Sequence, residues 1–151
     1  MAADLTVTVT ESVNINGALR GSSNTLTVTG IADTFERVVT CVNSQTTTIA
    51  TFAAQPYTSA GAIDVDRCKY VRITNLDENG WIELAIVTTD SNYTVLLTPG
   101  TSHILAQGEA VALGEVGATT FGTLLNLASI QVQPVGVSYD PQVEIFAASV
   151  A

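Results

Sequence analysis

The chain is short of charge, short of aromatic side chains and has a single histidine. Of its 151 residues 13% are charged and 46% hydrophobic, and that charge is about half the usual share for a soluble domain. Much of the surface must therefore be Thr, Ser, Asn, Gln and Ala. Interface cores exclude charge, so such a surface suits a protein covered by a partner; an ordinary Thr-rich β protein is the blander reading. The charge that is present is mostly of one sign, with 14 acidic residues against five basic ones and a formal net charge of −9. A general nucleic-acid binder needs a positive field to displace counterions from phosphate, which this chain lacks. Anionic membrane is disfavoured for the same reason. Arg67, Lys69 and Arg72 do fall close together. Pairing with Asp64, Asp66 and nearby carboxylates is the expected outcome, and docking of an acidic neighbour such as a second copy is the rival.

The usual constellations of catalysis are also missing. His103 directly follows Ser102, and adjacent strand residues point to opposite faces, so the two cannot form a nucleophile–base pair. One histidine removes any multi-His metal site. Cys41 and Cys68 show neither CxxC nor zinc-ligand spacing, and Cys41, inside the apolar run from Val38 to Val42, reads as a small buried hydrophobe. Asp64 and Asp66 could offer same-face oxygens to Ca²⁺, but the EF-hand spacing is absent. Glu83 with Asp77 or Glu78 could form a carboxylate pair, yet turns select Asp for local hydrogen bonding. No phosphate-cradling glycine loop occurs. The expectation is no catalytic residue, no cofactor, no metal and no small-molecule substrate. The N-terminus shows no secretory signal, and no apolar run approaches membrane-spanning length.

What is present is period-two alternation. Leu5, Val7 and Val9 alternate with threonines, and the pattern returns over 25–31. Residues 14–24, with Gly17, Gly21 and Ser-Ser-Asn, read as a loop, so residues 1–23 form an N-terminal arm or extra strand before a sandwich over 24–151. The runs 35–42 and 45–53 read as a hairpin turned at Asn43-Ser44. In the stretch from Lys69 to Leu105, a loop over 77–80 would pair Leu76 with Trp81. Ile73 then falls opposite Leu84 and Val71 opposite Ile86, on one sheet face, with Asn79-Gly80 supplying positive φ. Val95 and Leu97 join this inward set. Trp81, Ala85, Val87 and Leu96 are left facing outward, too apolar to sit comfortably in water. Further short strands are read over 102–105, 110–113, 127–133 and 142–148, with a helical turn near Phe121, Leu124 and Leu125. Many short strands with turn signals between them mean an all-β, antiparallel β-sandwich, jelly-roll-like, with an immunoglobulin-like sandwich as the alternative.

The succession LTVTG, FERVVTCV, TTTIATF, DVDRCKYVRITNLD, WIELAI, YTVLLTPGTSHIL and SIQVQPVGVSYDPQVEIFAAS over residues 25–149 resembles small virion proteins of tailed phages, especially those of cyanobacteria and other aquatic bacteria. In particular it looks like capsid cement or decoration subunits with jelly-roll sandwiches. That resemblance implies no active site. It implies a subunit made in the host cytoplasm and carried on the capsid surface of the virion, with the major capsid protein and copies of itself as partners, a homotrimer being favoured. The candidate interface is Trp81, Ala85, Val87 and Leu96, with Arg72. The rival is a carbohydrate-binding or host-adhesion module of a tail or fibre, with Trp81, Tyr70 and Tyr93 as an aromatic platform.

Overall fold

Alternating apolar positions need a second layer to cover them, and here two sheets cover each other. The computed structural model describes residues 3–54, 61–89, 92–106 and 126–151. Its strands are β1 (Ala3–Thr10), β2 (Val13–Ile15), β3 (Ala18–Arg20), β4 (Ser23–Thr40), β5 (Thr47–Ala53), β6 (Ala62–Asp64), β7 (Cys68–Asn75), β8 (Trp81–Thr88), β9 (Asn92–Leu97), β10 (Ser102–Ala106), β11 (Leu127–Val135) and β12 (Gln142–Val150). Sheet 1 has the order β1-β4-β12-β7-β10, and sheet 2 the order β6-β5-β11-β8-β9. Setting aside the added edge strands β1 and β6, the remaining eight form two four-stranded sheets, and all but one of their sequential connections cross between the sheets. That is the two-Greek-key weave of a jelly roll, and it rules out the immunoglobulin-like order.

The core lies between the sheets. Val71 and Ile73 from β7 and Val143, Ile145 and Ala147 from β12 meet Ile82, Leu84 and Ile86 from β8 and Ile130 and Val132 from β11. Of these, Ile73, Ile82, Leu84, Ile130, Val143 and Ile145 are fully buried. Burying each such side chain is worth about 1.5–3 kcal/mol, which is why alternation dominates this chain.

Two expected hairpins are instead crossovers. Ile73 pairs with Ile145 and His103, while Leu84 pairs with Val132 and Val95. The strands either side of residues 77–80 thus face each other across the core rather than lying side by side. The same holds for the strands flanking Asn43-Ser44, since β4 belongs to sheet 1 and β5 to sheet 2. Inward residues of facing sheets share one core as readily as neighbours in one sheet do, so matched apolar sets cannot distinguish the two. Among the described residues only β8 and β9 pair within a sandwich sheet as an antiparallel hairpin of sequential neighbours; β5 and the short β6 pair in parallel. The expected strand over 110–113 and the helical turn near Phe121 lie outside the described residues.

Residues 13–20 are not a loop. Ile15 pairs with Ala18 around Asn16-Gly17, both at positive φ (52° and 80°), the signature of a two-residue hairpin turn. β1 pairs with Ser23 to Ile31, and β12 takes over from Ile31 to Thr40, so the 18-residue β4 is shared between arm and sandwich. The ladder shifts register here, and Gly30 adopts φ 77°. That bulge bends the ribbon across the outside of sheet 1. There Leu5, Val7 and Val28 pack against Tyr70, Phe146 and Ala148. Ala148 is fully buried and Tyr70 nearly so, although both point away from the sandwich core.

Candidate interaction face

The outer face of sheet 2 is built by the other half of the alternation. β8 contributes Trp81, Glu83, Ala85 and Val87; the register sets Leu96 and Thr94 of β9 beside Glu83 and Ala85. On the other side Val135, Gln133, Gln131 and Ser129 of β11 lie beside Trp81, Glu83, Ala85 and Val87, and Thr48 and Thr51 of β5 follow. Trp81 is 47% and Leu96 48% exposed; Ala85 and Val87 are half-buried. Across β5, β11, β8 and β9 the one charged residue on this face is Glu83. Four of the five expected interface residues therefore share one surface.

Arg72 is not among them. It sits on the outer face of sheet 1, half-buried, where its Nη1 lies 3.1 Å from Glu144 Oε2 and donates also to Thr74 Oγ1. Hydrogen bonding to Glu144 holds its guanidinium in the charged form and raises its pKa. Alternation gave Arg72 a face, but not the sheet to which that face belongs. The rest of the basic cluster is also tied locally: Arg67 Nε is 3.4 Å from Asp64 Oδ2, and Lys69 Nζ donates to the Asp66 carbonyl. The outer face of sheet 1 thus carries the arm and the Arg72–Glu144 pair, whereas across β5, β11, β8 and β9 the outer face of sheet 2 carries Glu83 as its one charge.

The aromatic platform does not assemble. Tyr70 is buried under the arm, and Tyr93 stands at the sheet edge with its hydroxyl 3.2 Å from His103 Nε2. Among the described residues Trp81 is the one aromatic on the strands of its face. Ser102 turns away from His103 and shares a 2.8 Å hydrogen bond with Thr74. The thiols are free. Burial, with a smaller contribution from Asp140, pushes Cys41 up to about 11, and burial likewise raises Cys68. Neither is a thiolate nucleophile at neutral pH. Asp64 accepts from the Asp66 N–H and pairs with Arg67. Among the described residues no group of three or more His, Cys, Asp or Glu could hold a metal ion.

No protein-family model and no curated protein sequence matches the chain. Among solved structures it is similar to a chain from "Bacillus endospore appendages form a novel family of disulfide-linked pili", at 7% identity over 81% of this chain and 90% of that one, with a TM-score of 0.47. A likeness that distant says nothing about what this chain does.

The corner at the head of β8 fixes Trp81 in place. Asp77 Oδ1 accepts the Tyr139 hydroxyl at 2.7 Å, the Asn79 N–H at 2.8 Å and the Gly80 N–H. Gly80 does not supply positive φ. A Cβ there would lie 3.1 Å from Asp77 Oδ1, Tyr139 Oη and Val137 Cγ1, so any larger residue would press on all three side chains. The Tyr139 bond first, then the two backbone donors, hold the Asp77 carboxyl below its ordinary value of 3.8; the same bond raises the Tyr139 phenol. A depressed carboxyl stabilises the fold above the unfolded-state value, and that stabilisation is lost as pH falls through the folded-state value. Asp77→Asn should therefore be less stable than the parent at neutral pH, with the gap narrowing as an acidic pH below 3.8 is reached. Urea melts at both pH values check this, and an unchanged gap refutes it.

Proposed function

We propose that this chain is a non-enzymatic structural subunit that associates with copies of itself and seats on a phage capsid shell as a cement or decoration protein. One observation carries the reading: sheet 2 turns Trp81, Leu96, Val87, Ala85 and Val135 outward with Glu83 as the one charge among them. A face of that composition resembles the centre of an interface rather than a solvated sheet. On sheet 1 the corresponding apolar residues are covered by the arm. On sheet 2 no described strand covers them. The capsid as the surface to be covered, and a trimer as the assembly, rest on the sequence resemblance alone. Closed symmetric self-association is the common outcome for such subunits.

Light scattering after size exclusion tests the association. The parent should run as an oligomer, a trimer in the favoured case. Trp81→Asp and Leu96→Asp should shift it towards monomer without changing the circular dichroism spectrum, because both side chains lie outside the core. Sedimentation with capsid shells stripped of decoration proteins tests the second partner. A parent that stays monomeric throughout the micromolar range and ignores such shells defeats the proposal.

A second reading has one observation in its favour. Thr46, Glu83, Thr94, Gln131 and Gln133 line a shallow groove on the same face, one strand position from Trp81. Hydroxyls, amides and a carboxylate beside an exposed indole suit a neutral glycan. Glycan-array binding abolished by Trp81→Ala, with the parent monomeric, would favour it.

A further inference from the structure

The hairpin β2–β3 is a second unpartnered surface. It forms its own two-stranded sheet apart from the sandwich; Val13 and Ile15, on one face with Arg20, are 53% and 57% exposed, and Leu19 on the opposite face is 74% exposed. Three pairs of residues make a marginal hairpin in water, so its apolar side chains gain most from a partner. Arg20, opposite Val13, is the only charge in residues 12–22 of a chain with formal net charge −9. The ion pairs among the described residues, Arg67–Asp64 and Arg72–Glu144, leave both Arg20 and Glu83 out. Each unpartnered apolar surface thus carries one charge of opposite sign to the other.

The two surfaces do not cover each other within one chain, where both stay exposed. The arm is held on the outside of sheet 1 by Leu5, Val7 and Val28, and the face around Glu83 is on the far side of sheet 2. The packed sheets, about 10 Å apart with side chains beyond on both sides, separate them.

We propose that the β2–β3 hairpin of one copy docks on the outer face of sheet 2 of the next, Val13 and Ile15 against Trp81 and Leu96 and Arg20 pairing with Glu83. This rests on the self-association proposed above and names the segment that makes it. The contact is heterologous, each copy giving a hairpin and taking one. Such a contact closes into a ring, a trimer among the options, or extends without closure.

Charge exchange tests it on the full chain. Arg20→Glu and Glu83→Arg should each raise the dissociation constant at least about tenfold, and the double variant should return to within about threefold of the parent. At concentrations where parent and variants are all monomeric, thermal melts of the three should match the parent, since both sites are on the surface. Single variants that assemble like the parent, or a double variant no better than the weaker single one, overturn the hairpin contact while leaving self-association standing. A monomeric parent overturns both.

Discussion

Ile73→Ala should destabilise the protein by about 2–5 kcal/mol. Ile73 is fully buried. It lies on β7 beside Ile145 of β12 and faces the Ile82, Leu84 and Ile86 layer of sheet 2. Truncation removes three carbons from a site walled by two hydrogen-bonded sheets. Such walls relax little, so the lost transfer energy is joined by a cavity term. For a chain of this size the expected fall in Tm is on the order of 5–15 °C. Leu96→Ala is the control, an equally aliphatic truncation on the outer face, and should change the stability of the isolated subunit by no more than about 0.5 kcal/mol. Denaturant melts of both variants decide the matter. A loss under about 1 kcal/mol at Ile73 would place the core elsewhere.

Asn75→Leu should cost about 2–4 kcal/mol although it keeps the branched skeleton of the side chain. Asn75 is fully buried at the end of β7, where alternation would put another aliphatic residue. Its Nδ2 donates to the Gly80 carbonyl at 2.8 Å and the Leu97 carbonyl at 3.1 Å, and its Oδ1 accepts the Asp77 N–H at 3.0 Å. One amide thus serves the corner into β8 and the end of β9. Leucine would leave two carbonyls and an N–H without these partners, and unsatisfied buried groups are expensive. Asn75→Asp should be worse at neutral pH, because a carboxylate cannot donate to those carbonyls. It should recover part of the loss on acidification, as its carboxyl gains a proton. Equilibrium unfolding of the two variants at neutral and acidic pH reads this directly. A leucine variant as stable as the parent would show that the corner does not depend on the amide.

Asn75 marks a limit of what the sequence discloses. Alternation identified Val71, Ile73, Leu84, Ile86 and Leu97 as inward and Trp81 and Leu96 as outward, because a period of two fixes faces whatever the partners are. It could not say that β7 and β8 are partners across the core. The two Asn-Gly dipeptides show the same limit. Asn16-Gly17 joins a true hairpin that a loop-like composition concealed, while Asn79-Gly80 closes a crossover whose glycine lies close against three side chains. The local signal was equally strong at both. What separates them is Tyr139 and Asp77, a contact spanning 62 residues that no window around residue 80 contains. The split of Arg72 from the Trp81 face has the same origin, in strand order. The buried outer residues Tyr70 and Ala148 were hidden because their cover comes from the far N-terminus.

β4 belongs to the arm for its first half and to the sandwich for its second, with no break in the chain between them. A pull on the arm is therefore delivered along β4, parallel to its nine-residue ladder with β12. Hydrogen bonds loaded in that direction share the force and give way together, whereas bonds loaded from one end part in turn. The joint between arm and body is thus built like a lap joint, strongest along the line in which a neighbour holding the hairpin would draw it.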